Sequence, residues 1–334
     1  MSEKKQRPRD AAGSFDLAGL GGTGPLKAMV GLGEFMELYK RDATFRIKTP
    51  DGVDPQGLLD DAPWEIQKVA DVGAAHPAIA RVFVQGRELL QGCMTGQELD
   101  ENSLLLWGCK EAILACDFTA RQVVKAIDVA AQAFADQQLA IKANRGGVVP
   151  PSVPGLVNSC DELLVQAKRA IRLMSQFVGS VAQLDGRCEN FDFIIKRLTQ
   201  RGISSGLLWS VVQEQKENTK RLIDMRNARE HPKDGQTCEI KDFHVLPDRR
   251  VRAPTWQLAG HDPFDIKAEL EFLPEWLSVV AEHVVLGAVL EYPSPFPYVP
   301  QVRPEDQIDP DFPLRYTLGL DLSRMPGLPP EAKT

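Results

Sequence analysis

The pattern of hydrophobic and polar residues predicts long helices in the second half of the chain. Residues 103–143 are rich in Ala, Leu, Val and Ile and contain few helix breakers, until the Gly and Pro residues of 146–151 end the segment. The same criteria predict further helices over 159–184, 189–201, 204–230 and 264–292, the last one kinked or interrupted at Pro274. We therefore expect a mainly α protein built on a bundle of about four long helices.

A β-hairpin is predicted between the last two of these helices. Two extended runs, 237–246 and 250–258, flank the turn-forming sequence Pro247-Asp248-Arg249. We therefore divide the second half of the chain into a helical bundle over 103–292 with a hairpin insertion at 237–258.

The two ends of the chain have a weaker pattern. We expect residues 1–60 to form a flexible arm with a short amphipathic helix over 25–40 and a strand over 44–48, which ends at the turn sequence of residues 49–52. Residues 61–102 are predicted to be a helical segment that begins after Pro63. Residues 293–334, rich in Pro and acidic side chains, are predicted to be an extended tail.

Composition places the protein among ordinary globular proteins. It has 334 residues, 43% of them hydrophobic and 25% charged, with a net charge of −7. The overall charge attracts no nucleic acid, so RNA binding would need a local basic patch. The amino-terminal residues lack the apolar core of a secretory signal, and the apolar stretch 276–290 is short for a membrane span. We expect a cytoplasmic protein without membrane association.

The cysteines and histidines do not form a metal-binding pattern. None of the six cysteines is part of a Cys-x-x-Cys motif, and no histidines cluster at zinc spacing. Cys109 and Cys116, seven residues apart on a predicted helix, are expected to share an apolar face. We expect reduced thiols and no cofactor.

The strongest chemical signal is the group Arg226, Asn227 and His231. Leu208, Val212 and Leu222 mark an apolar seam on the helix over 204–230, and continuing this spacing places Arg226 on the same face. Because Pro232 disfavours helical backbone at the preceding residue, the helix should end near Glu230. His231 would then lie at the carboxyl end, where the helix dipole favours positive charge.

These residue types suit phosphodiester cleavage. An imidazole can accept the proton of a ribose 2′-hydroxyl or protonate the leaving oxygen. A guanidinium can hold the phosphate and offset its developing charge, and an amide can orient either partner. The same residues could instead serve only to cap the end of a helix.

The segment from Met225 to Pro232, in which Arg226 and Asn227 precede His231, resembles the signature of HEPN ribonucleases. The resemblance covers roughly residues 103–292, although only the motif matches closely. It implies a metal-independent endoribonuclease in which Arg226 and His231 are catalytic and Asn227 supports them. It also implies a homodimer or higher homo-oligomer whose two motifs form one site, and a role in toxin–antitoxin systems or antiviral defence, with an antitoxin or defence protein as partner.

A second group of basic residues is a weaker candidate for RNA binding. Arg249, Arg250 and Arg252 lie at the tip and on the second arm of the predicted hairpin, near Trp256, and Lys233 lies upstream. They could grip single-stranded RNA, but a solvated hairpin end with Trp256 packed on the bundle explains them as well.

The whole chain also admits a different function. It could be a non-catalytic helical protein for assembly or partner binding, in which Arg226 and His231 make structural hydrogen bonds and the two arms dock other chains. An RNA-cleavage assay distinguishes this alternative from the nuclease hypothesis.

Overall fold

The computed structural model describes residues 18–33, 35–141, 149–248, 250–292 and 297–321. Helices dominate and small sheets accompany them, so the mainly α prediction is confirmed. The chain divides into two compact units, one made of residues 1–107 and 289–334 and the other of residues 108–288.

The first unit contains a four-stranded antiparallel sheet in the order β1-β2-β3-β4. Its strands are β1 (Ala28–Leu32), β2 (Phe35–Tyr39), β3 (Thr44–Lys48) and β4 (Glu65–Ala70). The short helix α1 (Pro50–Val53) follows β3, and the Thr49 hydroxyl caps it by accepting a hydrogen bond from the Gly52 N–H at 3.2 Å. One face of the sheet is covered by a core around Leu38, Phe45 and Ile47.

Two predicted helices in this region are wrong. The helix expected over 25–40 is the β1–β2 hairpin, whose turn begins with Gly33 at a φ of +66°, a value that glycine adopts without strain. The helix expected after Pro63 is β4, which pairs along β3 and places Ile66 opposite Ile47. Strands β1, β2 and β4 have only five or six residues each, and runs that short do not distinguish helix from strand without their pairing partners.

The glycine-rich sequence near the amino terminus is anchored to the sheet, although we predicted a flexible arm. A short 3-10 helix covers Ala18–Leu20. The backbone N–H and the hydroxyl of Thr23 then donate hydrogen bonds to Asp42 at 2.6 and 2.9 Å, and these bonds lower the pKa of Asp42. Residues 1–17 of the predicted arm lie outside the described residues.

A buried carboxylate links the sheet to the first turns of α3 (Gly96–Ile141). Glu37 is fully buried and accepts hydrogen bonds from the Tyr39 hydroxyl, from Arg46 Nη2 at 2.8 Å and from Trp107 Nε1 at 3.0 Å. Arg46 also lies over the Phe35 ring, 4.6 Å from its centroid. The charge of Glu37 is therefore offset by a cation and several donors, as a buried carboxylate requires.

The segment after Tyr292 is folded onto the first unit, where we had predicted only an extended tail. Strands β10 (Tyr298–Val302) and β11 (Tyr316–Leu320) pair antiparallel around a 3-10 helix, Glu305–Gln307. They lie against α2 (Gln85–Gln91), which continues a π-helix over Ala78–Val84, so part of the helical segment predicted over 61–102 is present. Buried Gln85 accepts hydrogen bonds from the backbone N–H groups of Arg315 and Tyr316 at 2.6 and 2.8 Å. Residues 322–334 lie outside the described residues.

The second unit contains the remaining long helices. These are the rest of α3, α4 (Leu156–Val181), α5 (Phe191–Gln200), α6 (Leu207–Glu230) and α7 (Ile266–Glu291), of which α7 runs through Pro274 as one helix. The predicted helices are thus present, with boundaries shifted by a few residues. Helix α6 begins after Gly206, which provides no side-chain cap.

These helices pack in neighbouring pairs. The Cys109 and Cys116 thiols lie 3.9 and 3.7 Å from backbone carbonyls of α4, so the two cysteines share a buried face as predicted. Trp276 Nε1 on α7 donates to Gln215 Oε1 on α6 at 3.0 Å. Lys267 Nζ on α7 bonds Asp128 Oδ1 on α3 at 2.6 Å.

The predicted hairpin is present and is extended by a third strand. The pair β5 (Cys238–Lys241) and β8 (Thr255–Leu258) continues through β6 (His244–Val245) and β7 (Val251–Arg252), and β9 (Phe264–Asp265) pairs with β8. Trp256 is fully buried, and its Nε1 donates to Glu269 Oε2 on α7 at 2.5 Å. Glu269 also pairs with Arg221 of α6, so this carboxylate fastens the hairpin to both helices.

Helix α7 is also the one described helix with the length and composition to cross a membrane. However, 72% of its most apolar window is buried within the protein. Burial of that extent is typical of a core helix.

Candidate functional site

The end of α6 is determined by the sequence His231-Pro232. Helix α6 ends at Glu230, as predicted, and His231 leaves helical geometry at φ −131° and ψ 67° while its N–H still donates to the Asn227 carbonyl at 2.8 Å. The His231 side chain is 70% exposed. Its imidazole is therefore accessible to solvent and to dissolved ligands.

Arg226 and His231 meet at one carboxylate oxygen. Arg226 Nη1 forms an ion pair with Glu230 Oε2, and His231 Nε2 lies 3.4 Å from the same atom. A guanidinium and an imidazole separated by five residues thus converge on a single anionic oxygen. Glu230 played no part in our sequence prediction, and its spacing of four residues from Arg226 was the signal that could have identified this ion pair.

Arg226 lies beside the buried seam of α6 and not on it. The buried positions continue through Leu222 to Met225 and Ala228, whereas the Arg226 side chain is 22% exposed. The prediction that Arg226 lies on the buried face is wrong by one residue, because the preceding residue, Met225, is the one that is buried. A guanidinium at the edge of the seam avoids the cost of full burial.

Asn227 is held by a lysine of the neighbouring helix. Lys168 Nζ on α4 donates to Asn227 Oδ1 at 2.7 Å. Partial burial, and then the nearby Arg226 guanidinium, lower the pKa of Lys168. Lys168 therefore adds a second cation beside the motif, and no feature of the sequence near residue 168 had indicated it.

The last turn of α6 is locked against α4 and the hairpin. Arg229 makes a bidentate ion pair with Asp161 of α4, at 2.7 and 2.9 Å, and its Nη1 also donates to the Cys238 carbonyl at 3.3 Å. The Asp161 carboxylate raises the pKa of Arg229. Planar two-point pairing fixes direction as well as distance, so this arginine holds the motif-bearing turn in place.

A cleft of about 660 Å³ opens beside this turn. Its walls are the carboxyl-terminal part of α6, the turn over 231–236, and the end of β8 with the turn that follows. The lining residues are Lys220, Asp224, Asn227, Ala228, His231, Lys233, Gly235, Gln236, Leu258, Ala259 and His261. Asn227 and His231 border the cleft, whereas Arg226 is not among its lining residues. The volume is in the range of small-molecule and nucleotide sites.

Charge around the cleft is mixed. Lys220 Nζ bonds Asp224 Oδ2 at 2.6 Å, and this bond raises the pKa of Lys220. The two charges of that pair offset one another, which leaves Lys233 as the lining cation outside this pair. Within the described parts of the chain, no three His, Cys, Asp or Glu side chains are grouped to hold a metal ion.

The described residues that we predicted to bind RNA do not all line the cleft. Lys233 borders the cleft. Arg250 is exposed on the hairpin and pairs with Asp248 at 2.6 Å, and Arg252 is exposed on β7. Arg249 lies outside the described residues. Because Trp256 is buried, it cannot stack on a base, and packing on the bundle is the correct explanation for this residue.

Comparison with known proteins adds no further assignment to this geometry. No protein-family model, no curated protein and no solved structure matches the chain.

Proposed function

We propose that the protein is a metal-independent endoribonuclease of HEPN type, with Arg226 and His231 as catalytic residues and Asn227 as their support. The observation that carries the proposal is the convergence of Arg226 and His231 on Glu230 Oε2 at an exposed helix end. A phosphate oxygen is an anionic acceptor of the same kind as this carboxylate oxygen. An entering phosphodiester can therefore take the place of Glu230 between the two groups.

The reaction follows from these groups. One imidazole takes the proton of the ribose 2′-hydroxyl, or protonates the leaving 5′-oxygen, while the guanidinium offsets charge on the phosphate. The products are a 2′,3′-cyclic phosphate and a 5′-hydroxyl. We propose that the scaffold of this site is a four-helix bundle of α3, α4, α6 and α7. The pairwise packing of these helices supports this proposal.

The biological setting is part of the same proposal. We propose a homodimer in which two α6 ends face each other, a cytoplasmic location, and an antitoxin or defence protein as partner. These proposals rest on the resemblance of the motif.

A specific observation favours a second candidate, the non-catalytic assembly or partner-binding protein. Arg226 and Asn227 both have protein partners, Glu230 and Lys168, so they can be explained as structural hydrogen-bonding groups. In that case the exposed imidazole of His231 has no chemical task.

One experiment separates the two candidates. The full chain is incubated with a pool of random-sequence RNA in excess chelator, and the ends of the products are analysed. We expect cutting with 2′,3′-cyclic phosphate ends, and losses of about 10²–10⁴-fold for Arg226→Ala and His231→Ala. His244→Ala is the matched control, because His244 lies in β6, is not among the cleft's lining residues and bonds the Asp242 carbonyl. Cutting by either site variant at the wild-type level contradicts the nuclease, and stable self-assembly without cutting favours the second candidate.

A further inference from the structure

Two of the five histidines of the chain border one cleft. His231 comes from the carboxyl end of α6, and His261 from the turn after β8, thirty residues later in the sequence. Both residues are exposed. His76, His244 and His283 are not among the cleft's lining residues.

The backbone of the turn fixes the position of His261. Its N–H donates to the Leu258 carbonyl at 3.0 Å, and its own carbonyl accepts a hydrogen bond from Gln257 Nε2 at 2.8 Å. The preceding Gly260 has a φ of +82°, which allows the tight reversal at the end of β8. Among the described residues, no hydrogen bond or ion pair engages the His261 ring, so the imidazole remains available to a ligand.

The chemistry of RNA cleavage requires two proton transfers. The 2′-oxygen loses a proton as it attacks phosphorus, and the departing 5′-oxygen gains one. In an in-line displacement these oxygens lie on opposite sides of the phosphorus, so one imidazole cannot serve both in a single step. An enzyme that uses His231 for one transfer needs a second group for the other.

The cleft has the dimensions for this arrangement. Its volume of about 660 Å³ lies within the range of small-ligand sites, and both imidazoles are among its lining residues. The other charged groups that line it are Lys220, paired with Asp224, and Lys233. Lys233 supplies positive charge for a phosphate without competing for the proton transfers.

We propose that His261 is the second acid–base residue of this cleft, acting with His231 on RNA, an inference that rests on the proposed nuclease function. One imidazole accepts the 2′-hydroxyl proton as the 2′-oxygen–phosphorus bond forms. The other, protonated, donates its proton to the 5′-oxygen as the phosphorus–5′-oxygen bond breaks. No oxidant, reductant or water is consumed in this step.

The test uses an RNA oligonucleotide with one mapped cut site, prepared with either the normal 5′-oxygen or a 5′-bridging sulfur at the scissile bond. A thiolate leaves without protonation, so sulfur removes the need for the general acid. We expect His261→Ala to lower cutting of normal RNA by about 10²–10⁴-fold, with the thermal unfolding curve unchanged. His244→Ala, the control, should cut both substrates at the wild-type rate.

The sulfur substrate assigns the roles. Rescue of His261→Ala to within about tenfold of wild type makes His261 the general acid, and rescue of His231→Ala alone makes His261 the general base. Rescue of neither variant, or unimpaired cutting of normal RNA by His261→Ala, overturns the proposal while the nuclease function stands. If the wild-type protein cuts neither substrate, the nuclease function itself fails, and the role of His261 fails with it.

Discussion

Helices α6 and α7 approach so closely at Gly287 that a single methyl group should separate them. A Cβ added to Gly287 would lie 2.8 Å from both Cα and N of Leu208, which are backbone atoms of α6. Backbone atoms cannot rotate away as a side chain can. Since carbon atoms normally pack at roughly 3.5–4.0 Å, α6 would have to move by about 1 Å.

Two opposing effects set the magnitude for Gly287→Ala. Alanine is favoured over glycine inside a helix by about 1 kcal/mol. Overpacking a tight contact costs about 1–3 kcal/mol. Because the contact is with backbone, we take the upper part of that range and expect the free energy of unfolding to fall by about 1–2 kcal/mol.

Gly108→Ala is the matched control, since Gly108 also lies inside a long helix of the same unit. Its added Cβ would meet only the Leu173 side chain, at 3.2 Å from Cδ1. That leucine can adjust, so the change should be neutral or stabilise the protein by up to about 1 kcal/mol.

Urea unfolding followed by tryptophan fluorescence measures both variants. Three of the five tryptophans, Trp209, Trp256 and Trp276, lie in the same unit as the two glycines, so most of the signal reports on that unit. If Gly287→Ala were as stable as Gly108→Ala, the close packing of α6 on α7 would be refuted.

Three further predictions concern the surroundings of the site. For the bidentate pair of Asp161 with Arg229, we expect a coupling free energy of about 1 kcal/mol in a double-mutant cycle of unfolding, and a smaller value at high salt. If the stability losses of the two single variants simply add in the double variant, the pair does not stabilise the protein. Lys168→Met and Asn227→Ala should each lower the rate of RNA cutting about tenfold, and the double variant should lose no more than either alone, because the lysine acts through the Asn227 amide. If the two losses multiply in the double variant, the residues have independent roles. Burial raises the pKa of the Cys109 thiol from 9.0 to about 12. Because the thiolate is the reactive form, a thiol reagent at pH 8 should label Cys109 about 1000-fold more slowly in the native than in the unfolded protein. Fast labelling of the native protein would disprove this burial.

The helices of the second unit could be predicted because their signals are local. Residues 103–143 carry helix formers and few breakers, and Pro232 stops α6 at the residue expected. The hairpin was likewise marked by its own turn sequence. In the first unit the corresponding signals are short, and the segments 28–39 and 65–70 fit a helix or a strand equally well until the strands pair.

The candidate site divides in the same way. Arg226 and Asn227 are adjacent, and His231 follows Asn227 by four residues, about one helical turn, so the sequence alone determined their proximity. It also determined that the helix ends before Pro232 and leaves His231 exposed.

Only the tertiary structure decided which distant residues join that group. Lys168 reaches Asn227 from another helix, Asp161 locks the last turn through Arg229, and His261 enters the cleft from a turn thirty residues beyond His231. The physical reason is that local propensity depends on residues within a few positions, whereas these contacts arise from the packing of helices and the folding back of a hairpin. The same packing places Met225 and not Arg226 on the buried seam of α6, and so leaves the guanidinium at the edge of the seam, where it meets Glu230.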